Sequence, residues 1–303
     1  MRFEIGRELC GLSVRELLTS HLELSRRAVC SLKNNERGIV LNGNRVTVRA
    51  ILSEGDVLEL ALEEENKQRD VAAVDIPIEV IYEDDAVTVV NKPPFMPTII
   101  SHGHYEDTLA NALAFRYRDR DFVMRAVNRL DRDTSGICLI ANSRRSAHIL
   151  GEQMKNRQIE KKYLAILDGT LENDLGEQMI KNKIRRKEGS AMLREVTDAE
   201  GALPAETTYC LFARGERYSA VIAQPKTGRT HQLRVHFSHI GHPIVGDSMY
   251  GSASELISRQ ALHAFEITFT HPYTKEIMTF RASLPRDILN VAEQDNIDLS
   301  QLS

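Results

Sequence analysis

The alternation of apolar and polar positions divides the chain into a short first stretch and a long second one, with a polar run between them. In the first, Ser13 with Glu16 three residues on forms a capping-box pattern, and Val14, Leu17 and Leu18 then mark one helical face. Leu22 and Leu24 follow a break at 19–21, and a second helix is expected from Ser25. Residues 38–46 read as a strand, an Asn42-Gly43 turn and a return strand, and Gly55-Asp56 turns the chain into a strand at 57–60. Residues 63–70 are polar with no apolar period. The organisation expected is a unit at 1–65, a linker at 66–75 and a larger domain at 76–303.

The second stretch opens with strands at 78–82 and 86–90 around a Glu-Asp-Asp turn, and prolines at 93, 94 and 97 fix an extended exit. A helix is expected over 108–118. The continuous apolar run 137–141 reads as a buried strand, followed by a helix over 143–156 and a strand over 160–167. Residues 181–194 are basic and read as a loop, 205–209 reopen the sheet, and the tail from Arg286 has the period of a helix. Periodicity alone gives an α+β class.

Composition narrows the picture. At 303 residues with 42% apolar and 27% charged positions, the chain suits a soluble globular protein with a substantial core. No apolar run is long enough to span a membrane, the first residues lack a signal-peptide core, and a cytoplasmic location is expected. Cys10, Cys30, Cys138 and Cys210 are far apart with no C-x-x-C, so reduced thiols are expected rather than disulfides or a zinc site. A net charge of −4 argues mildly against a nucleic-acid partner. Charge is segregated, however: between Arg125 and Lys162 nine Lys/Arg stand against four acids, which leaves room for a local basic face.

Chemistry concentrates in Asn128-Arg129-Leu130-Asp131-Arg132-Asp133-Thr134-Ser135-Gly136, where two carboxylates and two guanidiniums fall within five residues, just ahead of the buried strand. Taken alone, Asp, Thr, Ser and Gly make turns. A second block, Thr227-Gly228-Arg229-Thr230-His231-Gln232-Leu233-Arg234, lies about a hundred residues on and is followed by 241–247. A catalytic carboxylate in a partly dry pocket needs a cation to stay ionised, and Arg suits that task better than Lys. The bland alternative for Arg229 and Arg234 is surface pairing, worth about 0–1 kcal/mol. His231 and His236, five apart and without a Cys or Glu cluster, do not make a metal site.

The first segment is similar to the H-R-L-D-x-x-T-S-G motif of the RluA-type pseudouridine synthases, with Asn128 where that family most often has His. The Tyr82-to-Pro93 block and the second block resemble other parts of the same family. The 1–65 unit resembles the S4 RNA-binding module, whose cations would be Arg15, Arg26, Arg27, Lys33 and Arg45. The resemblance implies a mixed, mainly antiparallel sheet with flanking helices and a central cleft, plus a small α+β unit ahead of it. It makes Asp131 the catalytic aspartate, Arg234 its ion-pair partner and Tyr163, about thirty residues after Asp131, the active-site tyrosine. It gives Arg129 the task of holding the target base out of its stack. Arg132, Thr134, Lys161, Lys162, Arg229, His231 and Gln232 would bind substrate. The reaction it implies exchanges one glycosidic bond for another, so neither cofactor nor metal is needed. The expected partner is RNA, ribosomal before transfer, acted on by a monomer. The alternatives are an inactive RNA-binding protein of the same fold and a hydrolase pairing Asp131 with Asp133.

Overall fold

The computed structural model of the chain describes every residue except 1, 23, 25, 36, 62–70, 121, 173–175 and 303, with backbone alone at 26–28 and 31. The N-terminal stretch forms β1 (Arg2–Glu4), α1 (Val14–Glu16), α2 (Arg26–Asn34), β2 (Ile39–Leu41), β3 (Asn44–Arg45) and β4 (Val57–Leu60). Ser13 and Glu16 close the expected capping box, the Glu16 amide donating to Ser13 Oγ at 3.2 Å and the Ser13 amide to Glu16 Oε2 at 2.8 Å. A π-helical turn over Leu17–His21 keeps Leu17 and Leu18 beside Val14 in the core with Ile39, Leu58 and Leu60. Asn42 and Gly43 both take positive φ, 51° and 80°, as a two-residue hairpin turn requires. The 4-stranded antiparallel sheet has the order β1-β4-β2-β3. Strand β1 was not expected: only Phe3 faces inward between exposed Arg2 and Glu4, too short an alternation to stand out. Of the expected linker, residues 66–70 lie outside the described residues.

The second stretch contains β5 (Glu79–Glu83), β6 (Val87–Lys92), α3 (Leu109–Arg116), β7 (Ser135–Ala141), α4 (Arg144–Lys155), β8 (Glu160–Asp168), β9 (Gln178–Arg186), β10 (Arg194–Val196), β11 (Leu203–Arg214), β12 (Tyr218–Pro225), α5 (Gln232–His239), β13 (Leu262–Thr270), β14 (Ile277–Arg281) and α6 (Arg286–Gln294). They build a 10-stranded sheet in the order β10-β9-β11-β12-β8-β13-β7-β6-β5, with β14 on β13. Neighbours are antiparallel except β13 and β7, which run parallel. This is the mixed, mainly antiparallel α+β architecture expected.

Strand β7 is buried at every position because both its faces are covered. Cys138 and Ile140 pack with α3, α5 and α6 (Leu113, Phe237, Val291), while Ile137, Leu139 and Ala141 pack with Leu150 of α4. The basic stretch at 181–194 is not a loop. It forms most of β9 and the return into β10, with Ile180 and Ile184 inward and Lys181 and Lys183 outward. Only two inward apolar residues mark that strand, and pairing with the long β11 completes it. The 227–236 block, given no element by its pattern, turns into α5 at His231, which takes a left-handed φ of 56°.

Candidate active site

Parallel pairing puts the entrances of β7 and β13 at the same end of the sheet. One transverse row of partners, Lys92–Gly136–Ala264–Tyr163–Ala223, crosses β6, β7, β13, β8 and β12 there. Gly136 has φ +114°, and a Cβ on it would lie 2.2 Å from the Ala264 carbonyl oxygen, so only glycine lets the strands close at this point. The 128–135 loop enters β7 directly above that contact.

The loop is fastened from below by buried groups. Asn128 donates to the Ile137 carbonyl at 3.0 Å and accepts from the Leu139 amide at 2.7 Å, so it ties the loop to its own strand. Thr98 Oγ1 donates to the Leu130 carbonyl at 2.9 Å and accepts from the Leu130 amide at 3.1 Å. The Lys92 ammonium, fully buried, donates to the carbonyls of Pro93, Met96 and Arg132 at 2.9, 2.7 and 3.1 Å. Burial lowers its pKa to about 8. Arg259, also buried, donates to the Asp133 carbonyl at 3.1 Å while its other nitrogens grip Asp287 of α6 at 2.6 and 2.8 Å.

Asp131, held this way, has a side chain 28% exposed, with Oδ2 3.6 Å from an Arg234 guanidinium nitrogen. The expected meeting of the two blocks therefore occurs. Arg234 is not steered by Asp131, however. Its bidentate partner is Asp247, at 2.7 Å through both Nε and Nη2, and Tyr250 lies against its guanidinium with the ring centroid 5.1 Å away. The Tyr250 hydroxyl accepts the Arg194 amide at 2.8 Å and is hydrogen-bonded to His231 Nδ1, also at 2.8 Å. Burial holds His231 below the ordinary histidine range, with Asp131 pulling the other way, so its ring is neutral at neutral pH. Asp247 and Tyr250 went unassigned in the sequence. The available signal was that a buried guanidinium needs a carboxylate, and 241–247 follows at once.

Tyr163 is buried on the same sheet face, and its pKa is raised by burial first and then by Cys138 and Asp131. Its phenol keeps its proton at neutral pH. Arg129 is exposed beside Asp131, with no ion pair among the described residues, and Arg132 is turned onto its neighbour Asp133 at 2.7 and 3.1 Å. That pairing separates the roles of the two acids: Asp131 faces Arg234, Asp133 is occupied by Arg132.

The other residues expected to bind substrate have partners within the protein. Thr134 is 2% exposed and accepts from the buried Gln260 amide at 3.0 Å. Gln232 is buried and clamps the turn ahead of α5, accepting from Thr227 and the Arg229 amide and donating to Glu206 and Thr207. Arg229 donates to the Pro204 carbonyl at 2.9 Å. The Lys161 ammonium points at Met154 Sδ of α4, and that of Lys162 is 2.7 Å from Glu266. In the N-terminal unit Arg15, Lys33 and Arg45 are exposed, while the side chains of Arg26 and Arg27 lie outside the described residues.

The family described as RNA pseudouridylate synthase matches residues 86–239. The chain is 35% identical over 288 residues to the uncharacterized RNA pseudouridine synthase YjbO of Bacillus subtilis, covering 94% of this chain and 100% of that protein. It is 34% identical over 266 residues to the ribosomal large subunit pseudouridine synthase D of Xylella fastidiosa, covering 82% and 78% respectively. Among solved structures, human RNA pseudouridylate synthase domain containing 1 superposes with a TM-score of 0.57 at 28% identity, over 68% of this chain and 83% of that one.

Proposed function

Because the chain belongs to the RNA pseudouridylate synthase family, we propose that it isomerises uridines of large-subunit ribosomal RNA, with Asp131 as the catalytic carboxylate. The reaction breaks the C1′–N1 bond of a uridine, turns the base and joins C1′ to C5. The C5 proton is lost and N1 gains one, so atoms and charge balance without a donor or redox partner. One observation carries the assignment: the Asp131 carboxylate is 3.6 Å from the Arg234 guanidinium, itself anchored by Asp247. A base inside a helix hides C1′, so the nucleotide is extruded before reaction. Asp131 then acts at C1′. Tyr163, protonated and buried beside it, packs on the extruded base and is placed to handle the C5 proton. Arg129, exposed and unpaired among the described residues, fills the gap the base leaves.

The N-terminal unit acts as an S4-type RNA-binding module. Support comes from its two helices followed by a hairpin and β4, and from the exposed Arg15, Lys33 and Arg45. The protein works as a cytoplasmic monomer. Large-subunit RNA is favoured because the Xylella fastidiosa relative carries that substrate in its name.

The test is to incubate Asp131→Asn and wild-type protein with unmodified large-subunit RNA. Wild-type protein should retain uracil as pseudouridine, and the variant should bind the RNA and convert none. Release of free uracil would support hydrolysis instead, and turnover by the variant would remove Asp131 from the mechanism.

A further inference from the structure

Phe95 is the residue of the catalytic region that folding explains least. It lies in Pro93-Pro94-Phe95-Met96-Pro97, where the chain leaves β6, and is 53% exposed. Its φ is +64°, a left-handed conformation that glycine adopts freely and a bulky side chain adopts rarely. Single exposed apolar residues are ordinary, and exposure alone would carry nothing. Here a large ring occupies a backbone position suited to glycine without core burial to offset it.

The position is also rigid. Phe95 sits between Pro93 and Met96, whose carbonyls both accept from the buried Lys92 ammonium, and that ammonium's third acceptor is Arg132. Just beyond, Thr98 exchanges two hydrogen bonds with Leu130. The ring is therefore carried on the backbone that also fixes residues 130 and 132, on either side of Asp131. Strained residues held by an over-determined surrounding cluster at ligand sites.

We propose that Phe95 is a stacking platform for an unpaired base of the substrate RNA adjacent to the nucleotide presented to Asp131. The inference rests on the reading of the site as one that takes an extruded uridine. Removing a nucleotide from its stack leaves its neighbours with bare faces, and an aromatic ring covers such a face whatever the base identity. Arg132, exposed on the loop that Lys92 ties to residues 93–96, suits a flanking phosphate.

The chain contains no tryptophan, so Phe95→Trp creates a single reporter. In an Asp131→Asn background, an unmodified transcript of large-subunit ribosomal RNA should quench Phe95→Trp emission saturably. It should leave Ile277→Trp, at an exposed position of β14, unchanged. In the active enzyme, Phe95→Gly should raise KM for the transcript about ten-fold with kcat maintained and with no loss of melting temperature. Phe95→Tyr should restore KM. A glycine variant with the wild-type KM, or equal quenching at both reporter positions, overturns the proposal. Failure of the enzymatic reading is separate: wild-type protein forming no pseudouridine while Phe95→Trp is still quenched overturns catalysis and leaves the stacking platform standing.

Discussion

At the scale of single residues, Asn128 shows how a departure from a family's usual side chain can be read. Its amide spans a carbonyl and an amide of β7 from a position 8% exposed. Asn128→Ala strands both groups away from water, which costs about 1–3 kcal/mol. A urea denaturation midpoint unchanged in the variant would refute the clamp. Arg234 is a related case, because its charge is legible in the sequence while its geometry belongs to Asp247, buried and already satisfied by the amides of Met249 and Tyr250. Thr134 and Gln232 are the opposite case. Motif position suggested contact with substrate, whereas burial makes both structural clamps.

At the scale of elements, the site depends on strands and helices remote in sequence. Helix α6, expected from its amphipathic period but given no role, reaches the 128–135 loop through Asp287 and Arg259. Asp287→Ala leaves a guanidinium with a 0% exposed side chain without its counter-charge, a loss of about 3–5 kcal/mol. The Asp133 carbonyl loses a firmly held donor at the same time. The expected outcome is a lower unfolding midpoint together with a fall in kcat for the folded fraction. Normal kcat in the variant would show that α6 supports the fold alone. Hairpin β9–β10 makes the complementary point: its tip leads to Arg194, whose amide holds Tyr250 beside His231.

At the scale of the whole molecule, two buried imidazoles contribute to the acid limb of stability. Burial lowers the pKa of His236 and of His263 from 6.5 to about 4. Unfolded chains bind these protons at higher pH than folded ones, so the contribution is full above pH 6.5 and is lost as pH falls toward 4. The urea midpoint should drop between pH 7 and pH 5, and a flat profile across that window would show the two rings to be solvated. RNA affinity is likewise a property of the whole surface, since the net charge is −4 and attraction must come from local faces. Replacing Arg15, Lys33 and Arg45 by Glu should flatten the dependence of log Kd on log salt by about 0.7–0.9 for each phosphate that is no longer neutralised. An unaltered slope would place the N-terminal unit off the RNA.

What the residues alone determined were the elements with a complete local signal: the capping box of Ser13 and Glu16, the Asn42-Gly43 hairpin and the two-faced apolar run of β7. Local hydrogen bonding and periodicity suffice for these. Tertiary structure decided which carboxylate grips Arg234, that Lys92 and Arg259 are buried beneath the loop, that 181–194 joins a sheet, and that Phe95 stays exposed in a left-handed turn. Each depends on which backbone or side chain arrives from a distant part of the chain, and burial, which gives a charge its partner or a strand its edge, is absent from any local pattern.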